Sequence, residues 1–155
     1  MTLPQPGAVA PDFTLRTDRD EPLVLSALRG RPVVLYFYPR DDTSGCTTES
    51  CEFRDTVPRF DKVDARVLGI SPDPVKSHVK FRDKYHLNFP LLADIEHAVA
   101  EQYGVWQEKS MYGRKYWGVA RTTFIIDAAG RIARVFEKVK PAGHASEVAD
   151  AVAAL

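Results

Sequence analysis

Cys46 and Cys51 are the two cysteines of this chain. Cys46 stands just after an apolar run, Val33 to Tyr38, and a polar turn, Arg40 to Gly45. It opens a segment in which Cys46, Ser50, Phe53, Val57 and Phe60 recur on one helical face. A cysteine in the first turn of a helix meets unpaired backbone N–H groups and the positive end of the helix dipole, so its thiolate form is stabilised. The far side of a strand–turn–helix unit is also where open α/β sheets place their sites. Cys46 is therefore a candidate nucleophile. Gly45 allows a tight turn and the close approach of another group. Thr43 sets a hydroxyl three residues before the sulfur and also suits the helix cap.

Cys51 lies five residues further on. In a regular helix that spacing is about 7.5 Å of rise and roughly 140° of rotation, a Cα separation near 8.6 Å. A disulfide needs less than about 7 Å. The two cysteines either never bond, or the helix unwinds when they do. A metal centre is not expected, because His78, His86, His97 and His144 are scattered without ligand spacing. The four residues between the cysteines also exclude the two-residue spacing of the CxxC redox motif.

The elements that must carry these residues follow from the pattern. Pro4 to Pro11 is extended because its prolines forbid a helix. Phe13 and Leu15, then Leu23 to Leu25, give short strand signals. Val33 to Tyr38 is continuously apolar and bounded by Pro32 and Pro39, as a strand buried on both faces should be. Pro58 predicts a kink or an early end to the helix after it. Ala65 to Ser71 reads as a strand. Asp73 and Pro74 read as a cap and a first-turn proline opening a helix to Tyr85. A strand at Leu91 and Leu92 and a helix over Ile95 to Tyr103 come next. Thr122 to Asp127 and Arg131 to Phe136 form a hairpin across Ala-Ala-Gly. A final helix places Val148, Val152 and Leu155 on one face. Gly104 to Arg121 shows little periodicity and reads as a long loop, functional or disordered, whose Trp106, Tyr112, Tyr116 and Trp117 argue against disorder. Trp106, Tyr116 and Trp117 are expected to cover the edge of the core; the alternative is that part of this surface flanks the active site and moves with the helix. The whole is an α/β fold with a central mixed sheet flanked by helices, in one domain over residues 1–155.

Composition narrows the function. The 155 residues hold 21 Lys and Arg against 21 Asp and Glu, so the chain is no general binder of nucleic acid. There is no apolar run long enough to span a membrane and no secretory pattern at the start. Two cysteines are too few for a disulfide-stapled scaffold, which points to a reducing, cytoplasmic setting.

Pro39, Thr43 and Cys46 match the P-x-x-x-T-x-x-C signature of the peroxiredoxins, and Glu49 matches the acidic residue that usually follows that cysteine. Together with Cys51, the APDF, VVLYFYP, YGVW, YGRKYWG and RTTFIID stretches resemble the bacterioferritin-comigratory, or PrxQ-type, subfamily over nearly the whole chain. Ser44 departs from the usual Pro and Arg40 from the usual Lys. The resemblance implies a thioredoxin-like fold and a cofactor-free, monomeric thiol peroxidase. It implies that Cys46 attacks hydrogen peroxide or an organic hydroperoxide and becomes a sulfenic acid, which Cys51 resolves as an intrachain disulfide. Arg121 would hold the thiolate, Thr43 would bond to sulfur and peroxide, Pro39 would shield the sulfur, and Glu49 would orient the arginine or the loop. Thioredoxin or a similar dithiol protein would be the reductant. A general thiol–disulfide exchanger and a redox-switch sensor are the competing readings.

Overall fold

The computed structural model describes residues 2–155. In chain order the elements are β1 (Thr14–Thr17), β2 (Pro22–Val24), a 3-10 turn (Leu25–Leu28), β3 (Val33–Phe37), α1 (Ser44–Asp61), β4 (Arg66–Ser71), α2 (Val75–Tyr85) and β5 (Leu91–Ala93). Then come α3 (Ala98–Gln102), β6 (Trp106–Met111), β7 (Arg114–Val119), β8 (Thr122–Ile126), β9 (Ile132–Phe136) and α4 (His144–Ala153). Seven strands make one mixed sheet in the order β2-β1-β5-β4-β3-β8-β9. β3 runs parallel to β4 and antiparallel to β8.

Every residue of β3 is buried, as its unbroken apolar run requires. Alternate side chains point to opposite faces. Val33, Leu35 and Phe37 pack with α3, Tyr103 and Phe124. Val34 and Tyr36, with Tyr38 just beyond, pack with α1, α2 and α4 through Phe53, Phe60, Phe81 and Val148. Cys46 belongs to this second layer, so the helix that carries it is fixed by core packing directly behind the sulfur.

Several sequence expectations are corrected. Pro58 neither ends nor visibly interrupts α1, which continues to Asp61. The carbonyl of Arg54, which the missing N–H of Pro58 leaves free, accepts a hydrogen bond from Asn88 Nδ2 at 3.3 Å. Pro74, with extended backbone (φ −75°, ψ 163°), is itself the cap of α2, not its first turn. The Asp73 carboxylate is occupied by Asp41 N–H and the Ser71 hydroxyl. The helix expected over Ile95 to Tyr103 shrinks to α3, because the Asp94 carboxylate bonds the amides of Val99 and Ala100 and makes a turn of the residues between. Leu155 lies beyond α4 and is exposed.

The largest correction is the segment from Gly104 to Arg121. It is a hairpin, not a loop: β6 and β7 pair antiparallel with Met111 opposite Arg114. Tyr112 and Gly113 close it, both at positive φ (52° and 77°), the two-residue turn that suits strand twist. Most of the ribbon faces water on both sides, so it lacks the alternation that marks a half-buried strand. Trp106 is anchored at its base, stacked on His97 at 3.8 Å. Tyr116 and Trp117 do not cover the core; they are exposed.

Candidate active site

The site forms where α1 begins. Its first helical bond runs from Thr47 N–H to Thr43 C=O (2.8 Å), so the amides of Ser44, Gly45 and Cys46 have no acceptor within the helix. Cys46 sits in this turn, 1% exposed, as a free thiol. Arg121, at the entry to β8, donates from Nη2 to Cys46 Sγ at 3.3 Å and from Nη1 to Glu49 Oε1 at 2.7 Å. The guanidinium thus bridges two side chains on adjacent turns of α1. Burial opposes the charge of Arg121, but Glu49 and Cys46 together hold it firmly protonated.

Glu49 is fully buried at its side chain, and its Oε2 has no hydrogen-bond partner among the described residues. Burial pushes its carboxyl up to about 7, against the pull of Arg121. Gly45 explains how Arg121 comes so near. A Cβ there would lie 3.1 Å from Arg121 Nη2 and 3.4 Å from Pro141 Cγ.

Thr43 occupies the cap position but does not cap with its side chain. Its hydroxyl donates to Arg40 C=O at 2.9 Å. With the proton so committed, the oxygen lone pairs remain for an incoming donor. Pro39, half-buried, lies between β3 and this turn.

The turn itself is clamped to α2. The Asp41 carboxylate accepts from Tyr38 Oη (2.6 Å) and Ser77 Oγ (2.8 Å), with His78 Nδ1 at 2.8 Å. Asp42, at the left-handed φ of 57°, is held by Lys84 Nζ (2.8 Å) and Tyr85 Oη (2.7 Å). Sequence reading gave no hint of the α2 partners, because they lie more than thirty residues away.

Cys51 is a half-buried free thiol on the same unbroken helix. Burial pushes its thiol up, while the nearby guanidinium of Arg54 pulls it down. Arg54 donates from Nη1 to Cys51 Sγ at 3.7 Å and to Tyr85 C=O at 2.7 Å. Sequence reading missed Arg54, although its spacing of three from Cys51 puts both on one helix face. It also missed Lys109 of β6. Burial and the charge of Arg121 push its ammonium down, and Cys46 acts in the opposite direction, so the middle of the hairpin faces the charges of the site. Among the described residues no group of His, Cys, Asp and Glu could hold a metal ion.

This arrangement can hold a sulfur anion against a fixed cation, in a first helical turn whose amides have no helical acceptor. The chain is similar to known peroxiredoxins. Residues 6–135 match the model of the AhpC/TSA family. The putative peroxiredoxin bcp of Coxiella burnetii is 53% identical over 142 residues, covering 92% of this chain and 94% of the relative. The peroxiredoxin Bcp of Bacillus subtilis is 46% identical, covering 91% and 90%. Among solved structures, the Xanthomonas campestris bacterioferritin comigratory protein, described for alkyl peroxide reduction, superposes with a TM-score of 0.90 at 39% identity, over 98% of this chain and 96% of that one. A cysteine-to-serine mutant of Xylella fastidiosa PrxQ gives 0.94 at 35% identity, over 99% and 98%.

Proposed function

Because this chain belongs to the AhpC/TSA family, as a peroxiredoxin of the Bcp/PrxQ type with that group's thioredoxin-like fold, we propose that its thiol peroxidase chemistry runs from Cys46 to Cys51. The Cys46 thiolate attacks the nearer peroxide oxygen. The O–O bond breaks, Cys46 leaves as a sulfenic acid, and water or an alcohol departs after taking up a proton. Hydrogen peroxide and organic hydroperoxides are the substrates.

Each site residue has a part in this step. Arg121 steadies the thiolate and then the charge growing on the leaving oxygen, as a preorganised donor does. Glu49 fixes the plane of the guanidinium through Nη1. Thr43, its proton given to Arg40, accepts the O–H of the peroxide and turns it for attack. Pro39 shields the sulfur from water. The observation that carries this reading is the Arg121 bridge, Nη1 on Glu49 and Nη2 on Cys46. A simple thiol–disulfide exchanger has no use for such a charge cradle.

Cys51 then resolves the sulfenic acid as an intrachain disulfide. With α1 continuous from Ser44 to Asp61, the helix must open first. Two anchors bracket what opens: Asp42 on Lys84 and Tyr85, and Arg54 on Tyr85 C=O and Asn88. Thr47, Thr48 and Ser50 between them are mediocre helix formers. A dithiol protein such as thioredoxin reduces the exposed disulfide in a reducing cytoplasm. Both cysteines come from one chain, so one copy, folded as one domain, completes the cycle without a partner subunit. Peroxide consumption coupled to thioredoxin oxidation, in wild type and in Cys51→Ser, tests this; turnover undiminished in Cys51→Ser would overturn the resolving role.

A further inference from the structure

We propose that Arg54 assists Cys51: its guanidinium, fixed at the resolving sulfur, offsets part of the burial that favours the neutral thiol and so raises the share of nucleophilic thiolate. This rests on the reading of Cys51 as the resolving cysteine.

The geometry is specific. Arg54 Nη1 donates to Cys51 Sγ at 3.7 Å, and the same nitrogen donates to Tyr85 C=O at 2.7 Å. Nε is bound to Asp55 Oδ1 at 2.9 Å. The side chain is largely covered, 29% exposed. A guanidinium held at two points outside the cysteine cannot swing freely away, so the cation is fixed at the sulfur by α2 and by its own helix. Tyr85 immediately precedes His86, the left-handed cap of α2 (φ 54°), and the carbonyls at a helix C-terminus attract a cation. Cys51 is half-buried in a setting that otherwise favours its neutral thiol, with Asp55 adding a like charge. Arg54 is the group that works against both.

The step it serves balances as written. The Cys51 proton goes to solvent. The Cys51 thiolate attacks the sulfenic sulfur of Cys46; the S–S bond forms, the S–O bond breaks, and the hydroxide released takes a proton to become water. Cys51 is oxidised and the sulfenic sulfur is reduced.

The test is the pH dependence of Cys51 alkylation by iodoacetamide, followed by intact mass in a Cys46→Ser background, where the helix is not opened by oxidation. Arg54→Gln should raise the alkylation midpoint by about one pH unit, the effect of losing one adjacent charge. Arg54→Lys should stay nearer wild type. Asp55→Asn should move the midpoint the other way, a sign that does not depend on Arg54→Gln folding well. With Cys46 restored, Arg54→Gln should slow disulfide formation about threefold at pH 7. The thiolate fraction falls about tenfold, and the greater basicity of each thiolate recovers nearly half of that on a logarithmic scale. Above the higher midpoint the order should reverse, with Arg54→Gln the faster, a crossing that mere loosening of the helix does not produce. Coincident midpoints for wild type, Arg54→Gln and Asp55→Asn would overturn the assignment while leaving Cys51 in its role. Absence of any Cys46–Cys51 disulfide in oxidised wild type would instead remove the reading beneath it.

Discussion

Arg121 donates to Cys46 across 75 residues of sequence, Nη2 to Sγ at 3.3 Å, at the point where the turn after β3 faces the entry to β8. The contact exists because those two strands are sheet neighbours, with Phe37 opposite Thr122. The end of one strand releases the cysteine turn, and the start of the other delivers the arginine. Removing the guanidinium should therefore strike the oxidation of Cys46 itself. Arg121→Gln should slow it by about 10²–10³-fold, the usual loss for one preorganised donor. Arg121→Lys should recover only part, since an ammonium cannot span Glu49 and Cys46 together. Rapid mixing with hydrogen peroxide measures both.

Gly45 separates reach from folding. Its backbone does not require glycine for φ, but a methyl group there would press on Arg121 Nη2 and Pro141 Cγ. Gly45→Ala should leave thermal stability equal or slightly raised, since alanine suits a helix better by about 1 kcal/mol. It should slow Cys46 oxidation about tenfold, because the displaced guanidinium no longer meets the sulfur squarely. Undiminished oxidation in a folded Gly45→Ala protein would mean that Arg121 tolerates displacement.

Glu49 predicts a pH signature in stability. Its carboxyl titrates at about 7 in the fold, against 4.5 as an ordinary glutamate, because burial disfavours the anion. The folded state therefore holds this proton more tightly than the unfolded state does. The stabilisation is complete below pH 4.5 and is lost as pH rises towards 7 and through it. The size is roughly 3 kcal/mol, from 1.36 kcal/mol for each pH unit between the two values. Denaturant titrations of wild type and Glu49→Gln across this window check it: the wild-type curve should fall with pH relative to the variant, and parallel curves would contradict the assignment.

On the proposed mechanism the helix opens between its two anchors. Amide exchange over Ser44–Phe53 should rise on oxidation, while the stretch from Arg54 to Asp61 stays protected. Cys51→Ser should show no such rise. Equal exchange over Ser44–Phe53 in reduced and oxidised wild type would exclude opening of α1. The middle of the hairpin faces the site through Lys109, next to the Glu108–Trp117 pair, so tryptophan fluorescence should also differ between the two redox states.

The sequence revealed much of this through strong patterns. The β3 run is apolar at every position because both of its faces are covered, and a buried strand leaves no other signature. The helix face from Cys46 to Phe60 was legible because every turn meets the same core. The hairpin β6–β7 was not, since a ribbon wetted on both sides imposes no alternation; only Tyr112-Gly113 marked its turn. Thr43 looked like a side-chain cap because its type fits, yet Arg40 C=O competes for its hydroxyl. Arg121 could be singled out by resemblance alone, as no local pattern distinguishes it from a surface arginine at a strand start. The clamp of Asp41 and Asp42 on α2 was invisible for the same reason: it belongs to the packing of elements remote in sequence.

The most direct test mixes reduced protein rapidly with one equivalent of hydrogen peroxide and follows intact mass under non-reducing conditions. Wild type should oxidise far faster than a free thiol and lose two hydrogens within one chain. Cys46→Ser should be inert, and Cys51→Ser should stop at a sulfenic acid. Oxidation of wild type no faster than a free cysteine, or equal reactivity in Cys46→Ser, would contradict peroxidase chemistry at Cys46 and leave thiol–disulfide exchange or redox sensing in its place.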